Sequence, residues 1–171
     1  MNMLKRFNIF IIAILVICSI TSCHSHKDAV SGNYKKHYCG IELSEGDNRK
    51  LYEEVESWLG TPYRYGGNTR KGVDCSGFVV NVYQNVYGIK LQRSSELIFK
   101  KNCKKIKKSQ LREGDLVFFK SGKAKRINHS GIYLKNGKFA HTSSSRGVMI
   151  SSLEEEYYKR NFIHAGRVKG R

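Results

Sequence analysis

"GVDCSGFVVNVYQNVYG", residues 72–88, is the stretch whose reading decides the fold. Phe78, Val79, Val82, Tyr83, Val86 and Tyr87 recur at three- and four-residue intervals. The valines would also suit a strand, but strands alternate by two and this pattern does not, so it predicts a helix that ends at Gly88. Cys75 falls in the first turn of that helix, and Asp74 just before it can cap the free amides through its carboxylate. A thiol placed there is either an idle small hydrophobe or an activated nucleophile. The positive end of a helix lowers a thiol's pKa, and a neighbouring imidazole would lower it further.

Upstream, "LYEEVESWLG" (51–60) puts Leu51, Val55, Trp58 and Leu59 on one helical face before Gly60 stops it. The loop "TPYRYGGNTRKG" (61–72) follows, with the only proline, Pro62. Downstream, "LQRSSELIFKK" (91–101) reads as a third, shorter helix capped near Ser94 or Ser95, with Glu96 placed to favour its N-terminal dipole. The texture then changes to short strands, at 114–119, 129–134, 138–143, 147–152 and 164–169, separated by turns such as "KNGK" (135–138) and "SSRG" (144–147). Helices first and an antiparallel meander after them make an α+β domain with the N-terminal helices packed on one side of the sheet.

The front of the chain is of another kind. Residues 1–22 carry Lys5 and Arg6, then an apolar run from about Ile9 to Ile20, then small residues before Cys23. That is the layout of a secretory signal, too short for a comfortable membrane span, and "ITSC" (20–23) is similar to a bacterial lipobox, which would make Cys23 a lipidated first residue. An uncleaved anchor, or a signal cleaved elsewhere by a different peptidase, is the alternative. Residues 23–49 are polar and aperiodic and read as a tether, leaving 50–171 as one folded domain. The formal net charge is +17. Such an excess in a cytosolic protein would point to nucleic acid, but an exported protein meets anionic headgroups and wall polymers, so no nucleic-acid partner is expected. Of five cysteines, Cys18 leaves with the signal and Cys23 is lipidated; no CxxC pair supports a zinc or thioredoxin-type site. Export permits a disulfide between Cys39 and Cys103, and Cys75 is then the odd thiol.

His129 opens one expected strand and His141 sits in the next, joined by a tight turn at Asn136-Gly137. If the two strands pair through that turn, both imidazoles project from one sheet face, His129 as base for Cys75 and His141 as the group that orients it. His164 is read as structural, and His24, His26 and His37 receive no role.

"GTPYRYGGNTRKGVDCSGFV", "REGDLVFF", "NHSGIYL" and "FAHTSSSRGVMISSL", in that order, resemble the NlpC family of cell-wall cysteine peptidases. The resemblance runs from about Leu51 to the C-terminus. It implies a compact papain-like domain with Cys75 as nucleophile, His129 as base and His141 as third polar residue. It also implies an active-site hydroxyl from Tyr63, and Asp74 and Ser76 as neighbours that shape the pocket. The sequence lacks the Cys-Gly-Ser-Cys signature and Asn orienter of the papain enzymes, so kinship with those is at fold level. The expected activity is cysteine endopeptidase cleavage of peptidoglycan stem peptides or crosslinks through a thioester. The D-alanyl to diaminopimelate bond is favoured and the γ-D-glutamyl to diamino acid bond is second. No cofactor or metal is needed. The protein is expected to be a monomer anchored by lipid to a bacterial membrane, on the periplasmic side of the outer one. The rivals are a non-catalytic wall-binding lipoprotein, and an amidase or acyltransferase of the same fold.

Overall fold

The structure, a computed structural model, describes residues 37–120 and 122–171; the expected signal at 1–22, Cys23 and the first part of the tether lie outside them. Strands β1 (His37–Tyr38) and β2 (Ile41–Glu42) pair antiparallel. Tyr38 and Ile41 are buried, and the Tyr38 hydroxyl donates to Glu53 Oε1 at 2.8 Å. The tether expected to reach residue 49 therefore gives way to the domain by His37, because two isolated apolar residues without helical or strand periodicity still find a place in the core.

Helix α1 (Arg49–Trp58) starts at Asn48, whose side chain accepts from the Leu51 amide at 3.2 Å. It buries Leu51, Tyr52, Val55 and Trp58. Leu59, expected on that face, lies past the helix end and is exposed. The loop beyond forms a small hairpin, β3 (Asn68–Thr69) with β4 (Gly72–Val73). Helix α2 (Cys75–Tyr87) follows and ends at Gly88. Phe78, Val79, Val82, Tyr83 and Val86 are buried, as their spacing predicts. Each such side chain contributes about 1.5–3 kcal/mol by leaving water, which fixes the helix against the sheet.

The third helix is shorter than expected. It comprises α3 (Ser95–Leu97), capped by Ser94, and then a single π turn at Ile98–Asn102. An unexpected edge strand, β5 (Cys103–Ile106), comes next. Its lysines read as surface rather than strand, yet lysines are what an exposed sheet edge uses to discourage pairing with other chains. Strands β6 (Leu116–Phe119), β7 (His129–Tyr133), β8 (Lys138–Ser143) and β9 (Gly147–Ser152) form the meander. A short helix α4 (Glu156–Asn161) leads into β10 (Phe162–Val168). The sheet order is β5-β10-β6-β7-β8-β9, and every pairing in it is antiparallel.

Side-chain alternation gives the sheet two apolar faces. Leu116, Phe118, Ile132 and Ala140 share the main core with α1 and α2. Val117, Phe119 and Phe139 form a second core with Leu153 and with Tyr158 from α4. The N-terminal helices thus pack on one face of the sheet, as the sequence predicts, and the second face carries the short helix α4 through Tyr158. Cys39 and Cys103 are both free thiols.

Candidate active site

The start of α2 is clamped. Asp74 stands in extended backbone (φ −92°, ψ 174°), and its Oδ1 accepts from the Gly77 amide at 2.6 Å. Its Oδ2 accepts from the Gly66 amide at 3.0 Å. Arg93 grips both carboxylate oxygens, at 2.8 and 3.0 Å, and also donates to Ser76 Oγ and to the Gly67 carbonyl. Burial alone would raise the Asp74 carboxyl's pKa, but the Arg93 guanidinium, the Gly77 amide and the Ser76 hydroxyl together hold it below its ordinary value. Asp74 and Ser76 line the cleft beside Cys75 and hold the first turn that presents the thiol. Arg93 was missed. Nineteen residues separate it from Asp74, and no local spacing links them.

The Cys75 thiol lies 3.6 Å from Ser95 Oγ and 3.9 Å from the Asn128 carbonyl oxygen. Ser95 is buried and shares a 2.8 Å hydrogen bond with Ser130 Oγ. The helix position predicted a lowered thiol pKa, and the resting site corrects this: burial pushes Cys75 up. The bonds with Ser95 and with the Ser130 and Ser76 backbone pull down without cancelling it. At neutral pH the thiol rests protonated.

The two histidines meet as the hairpin predicts. β7 and β8 pair with Gly131 opposite His141, so His129 and His141 share one face as diagonal neighbours. Gly131 makes room for this pair: a Cβ there would come within 2.7 Å of the Ala140 carbonyl oxygen and of the Phe139 ring. His129 Nε2 and His141 Nδ1 are 3.1 Å apart, with the rings nearly perpendicular at 86°. His141 is 1% exposed and stacks on Phe139; its Nε2 is 3.0 Å from the Tyr158 hydroxyl and 3.2 Å from Ser151 Oγ. Burial holds His129 down to about 4. His141 lies at about 3, through burial first and then the charge of His129. Both are neutral at neutral pH, so each ring has one donor and one acceptor. When His129 donates from Nε2 to His141 Nδ1, His141 donates from Nε2 to Tyr158 or Ser151. His129 Nδ1 is then bare, the state a general base needs. Tyr158 and Ser151 were missed; Tyr158 lies in a stretch without a motif, Ser151 near the end of a quoted one, and only the folded sheet brings them to His141.

Cys75, His129, His141 and Tyr63 line one cleft of about 470 Å³. Tyr63 is placed by a bridge with Val73, and burial, followed by the nearby Cys75 and Asp74, pushes its hydroxyl up. His164 stacks on Phe99 at 4.5 Å, consistent with a structural role. Among the described residues no cluster of three His, Cys, Asp or Glu is placed to hold a metal ion.

Comparison with known proteins adds a family. Residues 60–167 match the profile of the NlpC/P60 family. The chain is 47% identical over 118 residues to the probable endopeptidase NlpC of Escherichia coli, covering 69% of this chain and 76% of that one. It is 42% identical over 122 residues to the Escherichia coli murein DD-endopeptidase MepS/murein LD-carboxypeptidase, covering 71% of this chain and 63% of that one. A solved Staphylococcus aureus structure, described as similar to lipoprotein of the NLP/P60 family, superposes with a TM-score of 0.66 at 28% identity. The match covers 77% of this chain but only 44% of that one.

Proposed function

We propose that this chain, which belongs to the NlpC/P60 family, is a cysteine endopeptidase of the bacterial cell wall that cuts peptidoglycan stem peptides or crosslinks. The observation that carries the reading is the shared cleft: a thiol at the start of α2 beside a histidine pair whose buried ring, His141, is ordered by Tyr158 and Ser151. Two relatives bear the names of a probable endopeptidase and a murein DD-endopeptidase, which supports the same substrate class.

The reaction begins with a neutral pair. Cys75 turns from Ser95 toward His129, gives its proton to His129 Nδ1 as the sulfur attacks the amide carbonyl, and forms a tetrahedral oxyanion beside the amides at the start of α2. His129 then protonates the leaving amine, and a thioester remains. Water, activated by the same ring, releases the carboxylate and restores the thiol. His141 keeps its Nδ1 toward His129 Nε2 throughout, which stabilises the imidazolium in the middle of the cycle. The D-alanyl to diaminopimelate crosslink is the preferred bond, with the γ-D-glutamyl bond second.

Cys23 is the lipidated residue in this reading and holds the domain at the periplasmic side of the outer membrane. The description of the staphylococcal relative as similar to lipoprotein supports the lipidation. The test of activity is digestion of purified sacculi by the full chain, with muropeptides identified by mass. Crosslinked dimers should disappear in favour of monomers with wild type and persist with Cys75→Ser. Dimers that persist with wild type refute the assignment.

A further inference from the structure

The cleft has two halves that meet at Cys75, and they differ in charge. One half contains Asp74, Glu96 and Arg93, all already paired. Arg93 holds Asp74, and Glu96 bonds Lys100 at 2.6 Å and faces Arg126 at 3.7 Å. The other half is lined by His129, His141, the serines 143–145 and three tyrosines, and its single formal charge is Arg146. No Asp or Glu occurs in the sequence between Asp115 and Glu154. Arg146 is exposed and has no hydrogen-bond or ion-pair partner among the described residues.

Arg146 is nonetheless carried on a fixed element. The β8–β9 turn ends at Gly147, which has φ 71° and sits so close to the Thr61 carbonyl that a Cβ would overlap it. The Val148 amide donates to the Thr61 carbonyl, and the Gly60 amide donates to the Val148 carbonyl, both at 2.9 Å. The turn that presents Arg146 and the loop that presents Tyr63 are therefore one unit. A guanidinium held at a cleft wall with no internal carboxylate is a two-pronged receptor for an external one.

The chemistry orients the substrate. His129 must hand its proton to the leaving amine, and His129 lines the half that holds Arg146. The residue that follows the cut bond therefore lies in that half, and the acyl part lies along the other. We propose that Arg146 binds a carboxylate on the leaving residue and so selects amide bonds whose released amine lies beside a free carboxylate. This rests on the hydrolase reading above and divides its two candidate bonds. In the D-alanyl to diamino acid crosslink, the released amine shares its carbon with a free carboxylate. In the γ-D-glutamyl to diamino acid bond of a stem tetrapeptide, the carboxyl at that position is already tied up as an amide.

The test uses the full chain and two synthetic crosslink peptides, one with the leaving residue's carboxylate free and one with it converted to carboxamide. A charge-assisted bond of this kind predicts that wild type prefers the free carboxylate by about ten- to hundredfold in kcat/KM, mostly through KM. Arg146→Gln should collapse that ratio toward one, and Arg146→Lys should recover part of it. A wild-type ratio near one, or a ratio that Arg146→Gln leaves unchanged, overturns the assignment of Arg146 while leaving the hydrolase standing. Wild type that cuts neither peptide above the Cys75→Ser background overturns the hydrolase and this inference together.

Discussion

Acid should weaken this domain through its histidine pair before it reaches the carboxylates. An unfolded histidine binds a proton near pH 6.5, whereas burial keeps the folded His129 and His141 neutral down to about 4 and about 3. Between those values the unfolded chain holds more protons than the folded one, so stability rises with pH and falls as acid is added. One such group forfeits about 2 kcal/mol on going from about pH 8 to about pH 5. His129 is half-buried at the cleft wall, where water screens part of its cost, so His141 carries the firmer share. Against a total stability of roughly 5–15 kcal/mol, that loss is easily measured.

The assay is urea unfolding across that pH range for wild type and His141→Gln. The variant is less stable at every pH, because Tyr158 and Ser151 lose their ring partner. Its loss between about pH 8 and about pH 5 should nevertheless be smaller than wild type's by about 2 kcal/mol, since Gln does not titrate. His164, which burial and then Lys105 also push down, is present in both proteins and cancels. Equal acid losses in the two proteins would refute the reasoning, as would an NMR titration of the His141 ring with a midpoint near 6.5.

Three further outcomes follow from the site. Iodoacetamide should alkylate Cys75 at a rate that keeps climbing beyond pH 9, the ordinary thiol value, because burial raises the resting pKa; a plateau below about pH 7 would mean a preformed thiolate. His129→Gln should remove nearly all hydrolysis, whereas His141→Gln should keep a measurable fraction, since an amide can still hold the first ring; equal residual activity would erase the division of labour. Cys23→Ala should free the protein from membranes, and a processed variant that still sediments with them would give the anchoring to the basic surface instead.

The main helix and the meander were legible because their signals are local. The spacing of Phe78, Val79, Val82, Tyr83 and Val86 is the same in the sequence as on the buried face of α2. The turn at Asn136-Gly137 sets the β7–β8 register, and with it the common face of His129 and His141. What escaped notice has no local signal. β5 is a strand because β10 pairs with it, though "CKKI" taken alone is a charged surface run. Likewise α4 is short, and its one buried residue, Tyr158, matters through contacts with the sheet.

The same distinction runs through the site, where residue type was readable and electrostatic state was not. Cys75 at a helix start and two histidines on adjacent strands could be read from the sequence, and the fold brings them into one cleft. Whether the thiol rests ionised depends on the balance of helix dipole against desolvation, and that balance is set by Ser95, Ser130 and the closeness of Asp74. None of these is near Cys75 in a way that spacing reveals except Asp74, and its charge is spent on Arg93. A buried thiol next to a neutral imidazole transfers its proton only when a substrate carbonyl is present to take the sulfur's electrons. Reactivity is then coupled to occupancy of the cleft, and the thiol stays protonated between substrates.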